Sequence, residues 1–222
     1  MRLQFDRQLE ELHIELIKMG GLCEEAIRLS SKALMSRDRA LADRVYALDG
    51  EIDQKERIIE NMAYRLLLQQ QPVARDLRAV SSALKMISDL ERIGDQAGDI
   101  AELSLYIDEG DSKSLSHIGE MAEAAVKMVT DSVEAFVKDD LELATRVIDD
   151  DDKVDGLFKQ VRDELKVMID SKQIDTKSAL DLLMAAKYLE KIGDHAVNLA
   201  EWVEYSITGE RKNNEHQPGC VL

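Results

Sequence analysis

Residues 90–102 read LERIGDQAGDIAE and residues 189–201 read LEKIGDHAVNLAE. Eight of these thirteen aligned positions are identical, and the two segments lie 99 residues apart. A chain that repeats itself at such a distance is built from two copies of one structural unit, so the repeat constrains the architecture before any single motif does. Each copy also carries an E-x-x-x-D pair, Glu91 with Asp95 and Glu190 with Asp194. Residues four apart on a helix lie one turn above each other, so each pair sets two carboxylates on one face.

A length of 222 residues accommodates two halves of roughly 100 residues, each large enough for a core of its own. With only two prolines, few aromatics and a third of its residues charged, the chain suits helices rather than sheets. Its formal charge of −16 repels nucleic-acid phosphate and anionic membrane surfaces, and it favours cations and basic protein surfaces. No stretch approaches the ~18 consecutive apolar residues of a membrane span. The opening MRLQFDRQLEELHIE is amphipathic and acidic, without the apolar region of a signal peptide. Cys23 and Cys220 are far apart in sequence and support neither a disulfide framework nor a zinc knuckle. Cys220 is third from the end, where a prenylation box needs the fourth position. The expectation is a soluble, cytoplasmic protein that neither enters a membrane nor binds nucleic acid.

Apolar residues recur at spacings of three and four almost throughout. Phe5, Leu9, Leu12, Leu16 and Met19 form one such seam, and Val73, Leu77, Val80, Leu84 and Ile87 another. Leu182, Ala185, Leu189, Ile192, Ala196, Leu199 and Val203 form a third, as in the packed faces of helical bundles. Breaks at Ser36-Arg37-Asp38, Lys138-Asp139-Asp140 and 171–175 separate helices, Pro72 suits a first helical turn, and Gly110 suits a left-handed cap. The pattern predicts an all-α protein of six long helices, arranged as two pseudo-symmetric three-helix bundles over 3–108 and 112–208. The last three helices are expected at 113–138, 140–170 and 176–207. Residues 209–222 lack an apolar face and are expected to form a disordered tail. Gly20-Gly21 in the first helix marks a kink or a close approach of a neighbouring helix, and Gly94 and Gly193 mark close helix contact.

On a helical wheel, Glu91, Asp95, Asp99 and Glu102 lie opposite Leu90, Ile93, Ala97 and Ile100. Glu190, Asp194, Asn198 and Glu201 likewise oppose the seam of the last helix. A second acidic pattern also repeats: Asp49 and Asp53 in the second helix match Asp151 and Asp155 in the fifth. These lie beside their apolar seam, so packing of helix two on three, and of five on six, would give one carboxylate cluster per half. Charge runs of this kind are ordinarily solvated faces. Against that, like charges at i,i+4 cost roughly 0.2–0.5 kcal/mol per pair unless a cation offsets them. Arg92 and Lys191 flank the stripes and can neutralise them in part. The residues alone leave both readings open. Oxygen-only ligand sets suit Mg²⁺, Mn²⁺, Ca²⁺ or iron, whereas structural zinc usually recruits Cys or His. His195 could add one nitrogen in the second half.

Paired copies of E-[RK]-I-G-D-x-A on the last helix of each half resemble the PhoU family, bacterial and archaeal regulators of phosphate transport and phosphate signalling. Phe5, Leu9, Leu12, Met19 and Gly20 agree with its N-terminal pattern, as does RDLRAV at 75–80, and the resemblance spans residues 3–209. It implies two three-helix bundles related by pseudo-symmetry, in a non-catalytic protein that forms a homodimer. It implies surface metal ions (iron, magnesium, manganese or zinc) on Glu91, Asp95 and Asp99 with Asp49 and Asp53, and on Glu190 and Asp194 with Asp151 and Asp155. Asn198 replaces the third acid of the second copy, which would weaken that site. The resemblance further implies negative regulation of phosphate uptake and of phosphate-starvation two-component signalling. That regulation would act by contact with the transporter ATPase and the sensor histidine kinase.

Two other readings compete. A helical accessory protein of a low-affinity phosphate permease would have a similar shape. A di-iron carboxylate enzyme would need two E-x-x-H motifs inside a bundle core. This chain has one, Glu10 to His13. No P-loop or nucleophile elbow is present.

Overall fold

The computed structural model describes residues 2–70, 74–106 and 112–210. Pro72, Gly110, Cys220 and the tail beyond Glu210 lie outside the described residues. The described chain forms six α-helices and no strand: α1 (Arg2–Ser36), α2 (Arg39–Gln70), α3 (Arg75–Leu103), α4 (Ser112–Lys138), α5 (Leu141–Asp170) and α6 (Thr176–Thr208). The limits of α4, α5 and α6 fall within a residue of those read from periodicity, the ordinary scatter at helix ends, whereas α3 ends at Leu103, capped at Ser104 and well ahead of the cap expected at Gly110.

The α1/α2 and α4/α5 turns are built alike. Arg37 and Asp139 each take a left-handed conformation, at φ 54° and 55°, and an aspartate follows each. Asp38 accepts from the Ala40 N–H at 2.9 Å, and Asp140 accepts from the Leu143 N–H at 2.9 Å. These side chains satisfy amide groups that the first helical turn leaves without partners. Asp175 caps α6 in the same way, accepting from Lys177 and Ser178. At the other end of α6, Gly209, expected to begin the tail, is its left-handed C-cap at φ 80°.

Within each half the three helices pack on one another, α1, α2 and α3 in the first and α4, α5 and α6 in the second. The halves join through α3 against α6 and α1 against α4, while α2 and α5 touch only helices of their own half. The buried apolar residues do not divide into two independent cores. They form one cluster that continues across the α3–α6 and α1–α4 junctions, because both repeat helices bury their seams against the other half as well as their own. Gly20 lies at one junction, where an added Cβ would stand 3.1 Å from Val133 Cγ2, so close approach of α4 explains it. Gly21 faces open space, and α1 continues through both.

The arginines of RDLRAV tie the halves together at one end. Arg75 pairs with Asp139 at 2.6 Å. Arg78 donates to the Ser206 carbonyl at 3.4 Å, and its guanidinium lies over Gly209. A cation at that position suits the negative end of the α6 dipole. Cys23 is buried and donates to the Leu90 carbonyl, and burial pushes its thiol pKa up, away from reactivity. No described helix is long and apolar enough to cross a membrane.

Candidate functional site

The repeat glycines set how closely the outer helices approach. A Cβ on Gly94 would meet Ile52 Cδ1 at 3.0 Å and Asp49 Oδ1 at 3.3 Å, and one on Gly193 would meet Asp151 Oδ1 at 3.2 Å. In both halves, therefore, the first aspartate of the D-x-x-x-D pair sits directly over the glycine of the E-x-x-x-D helix. Close contact is what these glycines allow.

In the first half this packing gathers the acids. Going along α2, Asp49 lies near Asp95 and Asp99, Asp53 near Asp95 and Glu91, and Glu56 near Glu91. Partial burial raises the pKa of the Asp49 carboxyl, helped by the charges of Asp95, Asp53 and Asp99. Glu91 is raised by burial and then by Asp95, Glu56 and Asp53, with Arg92 opposing. Asp95 is raised by burial and Asp53. Asp99 is raised by burial, Asp95 and Glu102, while the Tyr188 hydroxyl of α6 favours its charged form. Asp49 Oδ1 is buried and has no hydrogen-bond partner. Each of these departures comes first from burial and then from neighbouring negative charge, which Arg92 offsets only in part, at Glu91.

The second half differs. Lys187 donates to Glu190, and Lys191 donates to Asp194 while lying 3.7 Å from Glu190. Lys159 stands 3.8 Å from Asp155. The flanking role foreseen for Lys191 is thus real. Arg92, its counterpart, leans 3.7 Å toward Asp89. Lys187 was missed, and its signal lay in the repeat: the matching residue of the first copy is Ser88. Also missed were Glu56, which extends the first cluster, and Tyr188.

His195 does not turn toward Asp194. Its Nδ1 lies 3.0 Å from Asp89 Oδ1 across the α3–α6 junction. Asn198 Nδ2 donates to the same oxygen at 3.4 Å, and the Asp89 side chain is only 8% exposed. Asn198 thus serves the junction between halves. An acid there would face a buried carboxylate.

Among the described residues, no group of three or more His, Cys, Asp or Glu side chains is disposed to hold a metal ion in this conformation. The donor chemistry nonetheless differs between halves. Among the described residues the first cluster offers carboxylate oxygens that no lysine or arginine pairs with, including Asp49 Oδ1, which has no hydrogen-bond partner, and this suits a hard cation. In the second, lysines engage Glu190, Asp194 and Asp155.

The family model described as the PhoU domain matches twice, at residues 16–104 and 118–203. The phosphate-specific transport system accessory protein PhoU homolog of Clostridium acetobutylicum is 36% identical over 209 residues, 93% of this chain and 95% of that protein. The corresponding homolog of Aquifex aeolicus is 38% identical over 211 residues, covering 95% of this chain and 96% of its own length. The crystal structure of PhoU from Pseudomonas aeruginosa matches with a TM-score of 0.86 at 34% identity, covering 93% of this chain and all of that one. The phosphate transport system regulatory protein PhoU from Streptococcus pneumoniae matches with a TM-score of 0.85 at 28% identity, over 93% of this chain and 98% of its own. With its repeated domain, its six-helix architecture and these relatives, this chain belongs to the PhoU family.

Proposed function

We infer that this protein is a cytoplasmic, non-catalytic regulator that restrains phosphate uptake and phosphate-starvation signalling by contact. The observation that carries this reading is the resemblance, over nearly the whole chain, to proteins named as accessories of the phosphate-specific transport system. Its partners are then the ATPase subunit of the transporter and the sensor histidine kinase. A net charge of −16 and long exposed helical faces suit docking on basic protein surfaces. Deleting the gene should leave the starvation response switched on in phosphate-rich medium, and the purified protein should bind the ATPase subunit or the cytoplasmic part of the kinase. An unchanged response together with no binding to either would sink this reading and favour the permease-accessory one. Size-exclusion chromatography with light scattering tests the proposed homodimer.

The first acidic cluster would hold the metal. Asp49, Asp53, Glu91, Asp95 and Asp99 supply only oxygen donors, and a bound cation would offset the burial and mutual repulsion that raise the pKa values of Asp49, Glu91, Asp95 and Asp99. Binding requires these side chains to rearrange from their present conformation. The Glu190, Asp194, Asp151 and Asp155 group would bind more weakly, because Lys187 and Lys191 must first leave. Elemental analysis of protein purified without chelator checks both statements. Equal metal in the intact protein and in a Glu91→Ala/Asp95→Ala variant would refute the first.

A further inference from the structure

The outer side of α1 carries a stripe that matches its own reverse. α1 packs on α2, α3 and α4, which leaves one side of it facing solvent. The exposed large apolar residues of α1 are Leu3, Ile14, Ile17 and Met35. They span the helix almost from end to end, yet at about 100° per residue they fall within about 60° of one another. Asp6, Glu10, Gly21, Arg28 and Lys32 lie on the same stripe and are also exposed. Arg7 and Glu25 border it on the α2 side, where Glu25 faces Arg44 at 3.5 Å. Glu24 borders it on the α4 side, where its carboxylate accepts from Arg28 and Thr130. Along the stripe itself, acids occupy the first half and bases the second.

The pattern is symmetric about residue 19. Leu3 and Met35 lie sixteen positions either side of it, Asp6 and Lys32 thirteen, Glu10 and Arg28 nine, and Ile17 and Gly21 two. Two α1 helices laid antiparallel about a two-fold axis there would set each residue opposite its counterpart. Apolar residues would then meet at both ends, opposite charges would meet between, and Ile17 would lie over Gly21. At that point a groove of about 360 Å³ opens between α1 and α4, lined by Gly20, Gly21, Val133 and Val137 beside Ile17. We propose that this side of α1 is the face on which a second copy of the chain docks, antiparallel, with Ile17 of each copy seated in the other's groove. Charge complementarity names the occupant. Among the described residues no lysine or arginine pairs with Glu10, and no carboxylate pairs with Lys32. Arg28 donates through Nε to Glu24 and through Nη1 to Glu123, which leaves Nη2 to meet the partner's Glu10. A two-fold interface requires a face that complements itself, and the polar pairs fix its register. The inference rests on the homodimer proposed above and names its face.

The test is sedimentation velocity of the full chain over a range of concentrations, with circular dichroism to check that each variant stays helical. The intact chain should dimerise reversibly. Ile17→Asp places a charge in the partner's groove and should weaken dimerisation by about 10-fold or more. Asp6→Lys with Glu10→Lys sets like charges opposite each other, and so does Arg28→Glu with Lys32→Glu. Each double variant alone should dimerise about 10-fold more weakly. Mixed in equal amounts, the two should pair about as well as the intact chain, because every contact again joins opposite charges. Leu180→Asp changes an exposed apolar residue of α6 and should leave dimerisation as it is. Gly21→Ala should weaken dimerisation, while its unfolding below the dissociation constant reports on α1 alone. A dimer that Ile17→Asp leaves intact would overturn this face and leave the homodimer standing. So would equal weakening by Leu180→Asp, or a mixture of the charge variants that stays monomeric. A chain that is monomeric at every concentration would overturn the homodimer and the face together. If Ile17→Asp then abolished binding to the transporter ATPase or the kinase, the face would belong to that partner.

Discussion

Asp95 is exposed, yet its carboxyl pKa is raised by partial burial and by Asp53, one of several acids crowded along the α2–α3 groove. A carboxyl whose folded-state pKa lies above its unfolded value favours the protonated form on folding. Its contribution is therefore fully present below the unfolded value and is lost as pH rises through the folded one. Asp49, Glu91, Asp95 and Asp99 all shift in this direction, so stability should decline as pH climbs from about 4 through the raised range. Asp95→Asn should raise unfolding free energy at pH 7 by roughly 0.5 kcal/mol at low salt, a Tm rise of about 1–2 °C. That gain should vanish near pH 4, as differential scanning calorimetry at two pH values would show. The glycines give a sharper contrast. Gly94→Ala pushes a methyl against Ile52 and Asp49 and should cost about 1–3 kcal/mol. Gly21→Ala meets nothing within 4 Å and should stabilise by about 0.5–1 kcal/mol. Urea denaturation midpoints moving in the same direction for both would refute the packing account.

The helices themselves were readable because apolar spacing and capping residues agree. Ser36-Arg37-Asp38 and Lys138-Asp139-Asp140 punctuate the periodicity, and Asp38 and Asp140 each supply the side chain that starts the next helix. Asp140→Ala should therefore destabilise by about 1 kcal/mol, with the loss seen as an earlier thermal midpoint in circular dichroism. A periodic pattern names the buried face of a helix but not the neighbour that covers it. For this reason the repeat placed Glu91 with Asp95 and Glu190 with Asp194, but not the lysines that engage the second pair. The replacement of Ser88 by Lys187 was visible, but only packing shows that residue 187 reaches Glu190. Glu56 and Tyr188 escaped notice for the same reason: their importance comes from α3 in one case and from the opposite half in the other.

At the scale of the whole molecule, the duplication was plain in the sequence, while the way the copies join was not. Two halves sharing one apolar cluster must register α3 on α6, and apolar surface alone registers loosely. Two polar pairs at matching positions mark that register. Asp89 of α3 meets Asn198 of α6, and their counterparts in the repeat, Tyr188 of α6 and Asp99 of α3, meet in the mirrored arrangement. Each pair has one carboxylate and one uncharged partner. The Asp-to-Asn difference between the copies, which looks like a weakened ligand set when each half is read alone, is what the junction requires. Asn198→Asp should set two carboxylates against each other at a site where Asp89 is nearly out of solvent. The expected loss is about 1–3 kcal/mol, and Asp89→Asn in the same chain should restore most of it. His195 remains beside position 89 in every variant, so a double-mutant cycle in urea isolates the 89–198 pair. If the two substitutions simply add, the junction does not depend on this contact, and the asparagine must be explained by its own half after all.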